Sequence, residues 1–438
     1  MRITGLVRSM QYYHLSRKGA VLLIGIVLAK STMSLHDIGV YETLMFIAML
    51  LSFFWVESVV KGYLSIYNEW SQRQQDKSIF TLYMTFLIIS AALCLLFLWF
   101  KPTVLSWLTG ESTLKYVGWL ILYLFLYQPS TITVYILQLK EKGREIYLFS
   151  TVHAAGLFLG VALPVILGYS LEGAMYGLIS FAVIMHVYSI FMLQKWWSFS
   201  FDKRILNRLL LISSPLIFYA IVQSFAGVFD AWLVNVFYQD KESFAIFRFG
   251  ARELPLVVPL AVGVSNLALP LLTISREEGL SLLRIESARL MHLLFPIALL
   301  LMIFSYPLFE LIYNTSFRSS AAIFNVYLLL IIPQLWFPQT IFLARKDNSI
   351  LVYIGIIEVA LNVILSLLLI SKLGMVGIAI GTFLAYVIEK VILILVARRR
   401  HAVEPARYLP LKWIIFYGIL IILVYGLVGN YQGFLVEY

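Results

Sequence analysis

Long apolar runs recur from one end of this 438-residue chain to the other, and only short polar connections separate them. A helix needs roughly 20 mainly apolar residues to cross a hydrocarbon core about 30 Å thick. By that measure the pattern predicts thirteen membrane spans, near 12–35, 39–67, 79–100, 114–139, 146–167, 173–193, 209–237, 244–272, 283–312, 321–344, 350–370, 376–397 and 409–428. Backbone groups in lipid must be paired within their own segment, so spans of this length are helices. The chain therefore reads as an all-α integral membrane protein. No polar stretch is long enough for a separate soluble domain.

Composition supports the same reading. Apolar residues make up 61% of the chain and charged residues 13%. A soluble domain of this length cannot hide that much apolar surface, so the excess faces lipid. The net charge of +10 does not point to nucleic acid, because the cations sit in short loops rather than on one face or arm. With the N-terminus in the cytoplasm, one side collects Arg2, Arg8, Arg17, Lys18, Arg73, Lys77, Lys140, Lys142, Arg144, the run from Lys195 to Arg208, Arg276, Arg284, Arg289, Arg345, Lys346 and the run from Arg398 to Lys412. The other side holds Lys30, Lys101, Lys115, Lys241, Arg318 and Lys372, while Lys61, Arg248, Arg252 and Lys390 fall within spans. That asymmetry fixes a multi-pass topology with a cytoplasmic N-terminus. Cys94 is the only cysteine, which excludes a disulfide framework and a zinc spacing. The first apolar run has no small-residue cleavage pattern, so it reads as a span rather than a removed leader.

An internal repeat organises the spans. At one fixed offset Tyr123 meets Tyr327, Pro129 meets Pro333, Lys142 meets Lys346, Gly173 meets Gly377 and Gly177 meets Gly381. The offset equals six spans, an even number, so the two halves run the same way across the membrane. The chain thus divides into a six-helix lobe over 1–200, a second over 201–400, and an appended transmembrane helix over 401–438. The lobes are related by a parallel pseudo-two-fold repeat, and a substrate cleft is expected between them. The paired glycines read first as close helix packing.

Several short motifs resemble the polysaccharide-biosynthesis branch of the multidrug/oligosaccharidyl-lipid/polysaccharide exporter superfamily. They are Ala29-Lys30 followed by His36-Asp37-Ile38-Gly39-Val40-Tyr41, Ser214-Pro215, Leu269-Pro270-Leu271-Leu272, and the stretch from Leu373-Gly374 through Gly377 and Gly381 to Thr382. Lys30 stands where that branch typically has Arg. The branch comprises flippases of lipid-linked oligosaccharides of the O-antigen and capsule type, and relatives of the lipid II flippase. The resemblance implies a twelve-helix core, a polyprenyl-diphosphate-linked glycan as substrate, and often an ion gradient as driving force. Polysaccharide polymerase and glycosyltransferases are the partners it implies, in a bacterial inner membrane.

Ionisable residues at membrane depth are costly and need a reason. Cations facing a wet cleft would offset the charge of a diphosphate. Arg248 and Arg252 are four apart and so share one face of a continuous span eight, with Pro255 and Pro259 as candidate breakers. They read either as a diphosphate clamp or as an outer interfacial segment. Lys61 reads either as a second cation opposite them or as a snorkelling side chain paired with Glu57. The uninterrupted apolar run of span one, 19–29, is too short to cross. Arg17 and Lys18, or Lys30, must therefore sit at depth or snorkel. His153, His186 and His292 read as hydrogen-bonded core residues. Of the adjacent Glu389 and Lys390, one is expected to face the bundle interior.

Glu358 and Asn362 lie one turn apart near the middle of span eleven, with Asp230 in span seven and Thr382 in span twelve. Their oxygens are hard ligands suited to sodium. In the lipid II flippase branch a sodium site is built from spans seven, eleven and twelve with such groups, and these four positions match it. Here the acid and amide of span eleven come in reversed order, and a proton on Glu358 is the rival coupling mechanism. No phosphate loop, metal-ligand cluster or nucleophile motif points to an enzyme. The reading is an ion-coupled flippase working by alternating access. The competing reading is a cation-coupled multidrug exporter, whose cleft favours acids and aromatics over cations. A membrane-embedded glycosyltransferase would carry large polar outer loops, and the outer loops here are short.

Overall fold

The computed structural model describes residues 2–254, 257–345 and 347–431, and all regular structure among them is helical. The chain forms two compact units, one of Met1–Ser224 with Asn235–Ala245, the other of Phe225–Val234 with Ile246–Tyr438.

The first unit opens with α1 (Arg2–Lys30), α2 (Leu35–Leu50) and α3 (Val56–Ile66), followed by α4 (Gln72–Trp99), α5 (Lys101–Thr109), α6 (Val117–Tyr127) and α7 (Thr133–Leu139). It continues with α8 (Gly143–Ile166), α9 (Ser170–Leu193) and α10 (Lys203–Tyr238), whose residues 225–234 belong to the second unit. Helix starts follow local chemistry. Ser34 caps α2 by accepting from the Asp37 amide, and Asp202 caps α10 by accepting from the Arg204 and Ile205 amides. Ser71 and Gln74 form a reciprocal capping box on α4. Gly177 of α9 lies against the backbone of Gly160 of α8, so the two helices approach more closely than any side chain would allow.

The second unit contains α11 (Lys241–Gly250), of which residues from Ile246 onward belong to it, and then α12 (Val257–Ile274), α13 (Arg276–Ile303), α14 (Ser305–Ile312) and α15 (Ser320–Leu329). It ends with α16 (Ile331–Gln334), α17 (Pro338–Ala344), α18 (Asn348–His401), α19 (Pro405–Tyr408) and α20 (Leu411–Tyr431). Expected spans eleven and twelve are the two limbs of α18, folded at Gly374, whose φ of 56° suits glycine. Gly377 and Gly381 bring the limbs together, against the backbone of Leu369 and of Ser366. Arg276 donates to the carbonyls of His401 and Ala402 at 2.7 Å each and so satisfies the open end of α18.

The fold class is the expected one, an all-helical integral membrane bundle, but the spans are cut differently. Eight helices among the described residues are long and apolar enough to cross a membrane, or up to nine with the bent pair Ser320–Gln334 and Pro338–Ala344. Thirteen were expected. Spans two and eight are each split into two shorter helices, and spans eleven and twelve are joined in one. The segments around Pro129 and Pro333 break in both halves, as α6, a 3₁₀ turn and α7 in one and as α15, α16 and α17 in the other. Proline removes a helical hydrogen bond at each place. Lys346, one partner of the repeat pairs, and Pro255 lie outside the described residues.

Candidate functional site

In the second unit, a buried polar cluster gathers side chains from α10, α15 and both limbs of α18. Asp230 and Asn362 are 1% and 0% exposed. The Thr382 hydroxyl donates to Asp230 Oδ2 at 2.6 Å, and Asn362 Nδ2 donates to Thr382 Oγ1 at 2.9 Å. Tyr327 adds a longer bond from its hydroxyl to the same Asp230 oxygen, at 3.4 Å. Two oxygens in this cluster, Asp230 Oδ1 and Asn362 Oδ1, are buried and receive no hydrogen bond. A buried acceptor without a donor costs about 1–3 kcal/mol. One of these oxygens belongs to the carboxylate and the other to the amide, and both are of the hard kind that a small hard cation prefers, along with hydroxyl oxygens. The donor set therefore fits sodium, held by Asp230, Asn362 and Thr382 with Tyr327 behind the carboxylate. Bound there, the ion supplies the positive charge that a buried aspartate lacks. Among the described residues no group of three or more His, Cys, Asp or Glu is arranged to hold a metal.

Glu358 stands apart from this cluster. It lies within electrostatic reach of Asp230, but its stronger neighbours are Glu389 and Lys390. The reversed order of acid and amide thus brings the amide, rather than the acid, to Asp230. In the sequence Tyr327 stands out only as the repeat partner of Tyr123. Its role could not be read there, because tyrosines are common in the chain.

The cations are distributed over both units. In the first, Arg17 and Lys18 are exposed along α1, and Lys30 is exposed in its last turn. Arg17 lies within electrostatic reach of Tyr127, Tyr13, Tyr123 and Tyr135. The Tyr123 and Tyr127 rings stack at 5.2 Å. Lys61 is 68% exposed and pairs with Glu57 at 3.4 Å. In the second unit Arg248 is half-buried in the last turn of α11. The expectation that Arg248 and Arg252 share one helical face is corrected, because α11 ends at Gly250. That glycine lies against Ser320 and Ile323, and the chain leaves the helix before Arg252. Arg252 instead turns back, donating from Nε to the Arg248 carbonyl at 3.4 Å and from Nη1 to the Tyr313 hydroxyl at 3.2 Å. Its guanidinium lies 4.6 Å from the Phe249 ring centre, a cation–π contact.

All three histidines are hydrogen-bonded as expected, but only His153 lies in the core, while His186 is half-buried and His292 exposed. His153 bonds Tyr127 at 2.8 Å, His186 bonds Tyr83 at 3.0 Å and the Leu126 carbonyl at 2.8 Å, and His292 bonds Tyr417 at 2.9 Å.

Residues 43–435 match the family model described as lipid II flippase MurJ. Among solved structures, a lipid II flippase MurJ in an inward closed conformation is similar at 18% identity and a TM-score of 0.72, covering 98% of this chain and 99% of that one. An inward-facing multidrug resistance transporter of the MATE family in the MOP superfamily is similar at 13% identity and a TM-score of 0.66, covering 87% and 94%. A MOP superfamily transporter from Pyrococcus furiosus, described as having a binding pocket of reversed polarity, is similar at 14% identity and a TM-score of 0.60, covering 92% and 95%. No curated protein matches. The superfamily expected from the motifs stands, and within it the matching family is that of the lipid II flippase. The O-antigen and capsule branch has no support among these matches.

Proposed function

Because this chain belongs to the lipid II flippase MurJ family, we propose that it flips a polyprenyl-diphosphate-linked saccharide between the leaflets of a bacterial inner membrane. The family match over 43–435 carries this reading. The intramembrane cations support it, since a diphosphate crossing a low-dielectric region needs positive partners and arginine offers a planar, permanently charged one. Arg248, Arg252 and Arg17 are the proposed diphosphate ligands, with Lys18, Lys30 and Lys61 as further candidates. A multidrug exporter moving cationic compounds has no use for these charges, so the exporter reading is the weaker one.

Sodium at Asp230, Asn362 and Thr382 is the proposed coupling ion, with the two unpartnered buried oxygens as support. Glu358 as a proton carrier is the rival. Alternating access, a cytoplasmic N-terminus and work beside a polymerase and glycosyltransferases complete the reading as proposals. The finer expectation, an oligosaccharide of the O-antigen or capsule type, concerns the sugar alone, and the diphosphate chemistry is common to both heads.

The test is flipping in proteoliposomes. Two fluorescent polyprenyl-diphosphate glycans are compared, one with the lipid II head and one with a surface-polysaccharide oligosaccharide, with and without a sodium gradient. Flipping of either head by the wild type, lost in Arg248→Ala and Arg252→Ala, is the expected result. The head that moves faster names the substrate class. Wild-type rates in both variants rule out the clamp. Failure to move either glycan, with export of a cationic dye instead, overturns the flippase reading.

A further inference from the structure

Lys390 is 4% exposed within an apolar span, the kind of group that survives at membrane depth only with a partner or a task. Its ammonium lies 2.8 Å from Glu389 Oε2, an ion pair between neighbours in sequence. The ammonium also lies 4.5 Å from the Tyr386 ring centre, a cation–π contact. Glu358, on the other limb of α18, is within electrostatic reach of both Glu389 and Lys390.

These groups continue the Asp230 cluster in one direction. Thr382, Tyr386 and Lys390 are successive i, i+4 positions, so they line one face of their limb over about 12 Å. Asn362 and Glu358 do the same over one turn of the facing limb. The result is a polar column from Asp230 towards the end of α18 that carries Arg398, Arg399 and Arg400. Along it the carboxylates of Asp230, Glu358 and Glu389 run beside the fixed charge of Lys390, with Glu253 in electrostatic reach of Tyr327 and Tyr386 and Arg248 in reach of Tyr327. An uncompensated carboxylate in such surroundings is strongly unfavourable.

We propose that Glu358, Tyr386 and Glu389 form a second monovalent-cation position in which the Lys390 ammonium is the built-in occupant. The two carboxylates and the ring face are ligands a mobile cation could use; Lys390 already holds Glu389 and the ring face, with Glu358 in electrostatic reach. The tethered charge thereby limits the chain to one exchangeable cation, at Asp230, and bars a second from the column. This inference rests on the coupling-ion reading for Asp230, while the second position has its own readout.

The experiment measures radioactive sodium bound per chain, by equilibrium dialysis of the purified full-length protein in detergent at mildly alkaline pH. Wild type is expected to bind one sodium and Asp230→Asn none. Lys390→Met, which keeps the length of the side chain and removes its charge, is expected to bind two. Adding Glu389→Gln to Lys390→Met returns the count to one, and Lys390→Arg stays at one. Lys390→Gln repeats the test if the methionine variant is not monodisperse. A count in Lys390→Met or Lys390→Gln no higher than in wild type overturns the proposal. A wild type that binds none defeats the coupling-ion reading instead, and a gain of one sodium on removal of Lys390 would still uphold the second position.

Discussion

Asp230 is held by donors of unequal quality, and that inequality makes a prediction at the scale of single residues. Thr382 approaches its carboxylate at 2.6 Å, a charge-assisted distance, while Tyr327 stands at 3.4 Å. A hydrogen bond to a charged group is worth roughly 1.5–3 kcal/mol, and each 1.4 kcal/mol or so is tenfold in an equilibrium constant. Thr382→Val also removes one of the three proposed sodium ligands. It should therefore raise the sodium concentration for half-maximal thermal stabilisation by about tenfold to a hundredfold. Tyr327→Phe removes only the weaker donor and should shift that midpoint by less than tenfold. The measurement is a melting curve of the purified protein across sodium concentrations. Equal midpoints for wild type and Thr382→Val would remove Thr382 from the site. Asp230, Asn362 and Thr382 could be found in the sequence because polar side chains are conspicuous inside apolar spans. Tyr327 could not, since its hydroxyl finds the carboxylate only once α15 packs beside α10. The pairing of Lys390 with the adjacent Glu389 was equally hidden, because neighbours in sequence point to different faces of an ideal helix.

At the scale of elements, the glycines separate helices that must touch from those that need not. An added Cβ at Gly177 would run into the backbone of Gly160, which cannot swing aside as a side chain can. At Gly118, within α6, an added Cβ meets nothing within 4 Å. Replacing a helix-interior glycine with alanine normally gains about 0.5–1 kcal/mol, a benefit that applies in full at Gly177 and in lesser measure at Gly118 in the first turn of α6. Forcing extra volume into a packed contact costs typically about 1–3 kcal/mol. Gly177→Ala should accordingly lower the melting temperature in detergent, while Gly118→Ala should hold or raise it. The same order for both variants would refute the close contact of α8 and α9. The small-xxx-small spacing disclosed this packing in advance, because it depends only on residue size and helical period. The ends of helices were less legible. Span eight read as one helix with Pro255 and Pro259 as its candidate breakers, yet α11 stops at Gly250, ahead of both, where Ser320 and Ile323 lie against it. Those neighbours come from a segment far away in sequence.

At the scale of the whole molecule, the question is the direction in which the two halves cross the membrane. Six spans between equivalent positions put them on one side, whereas an odd number would put them on opposite sides. Lys115 and Ser319 are equivalent under the offset that pairs Tyr123 with Tyr327, and both are exposed in loops assigned to the outer face. Arg399 is exposed at the far end of α18, on the side where loop cations collect. The background for a labelling test is low, because Cys94 is the only native cysteine. It is buried, with its thiol 3.6 Å from the Ile121 carbonyl. Lys115→Cys and Ser319→Cys should both react with a membrane-impermeant maleimide in intact cells or spheroplasts, and Arg399→Cys only after the membrane is opened. An inverted repeat would expose just one of the first two. Labelling of Arg399→Cys in intact spheroplasts, with Lys115→Cys protected, would reverse the orientation. The cationic loops would then face outward, against the charge bias that sets membrane topology, and the saccharide would be moved the other way.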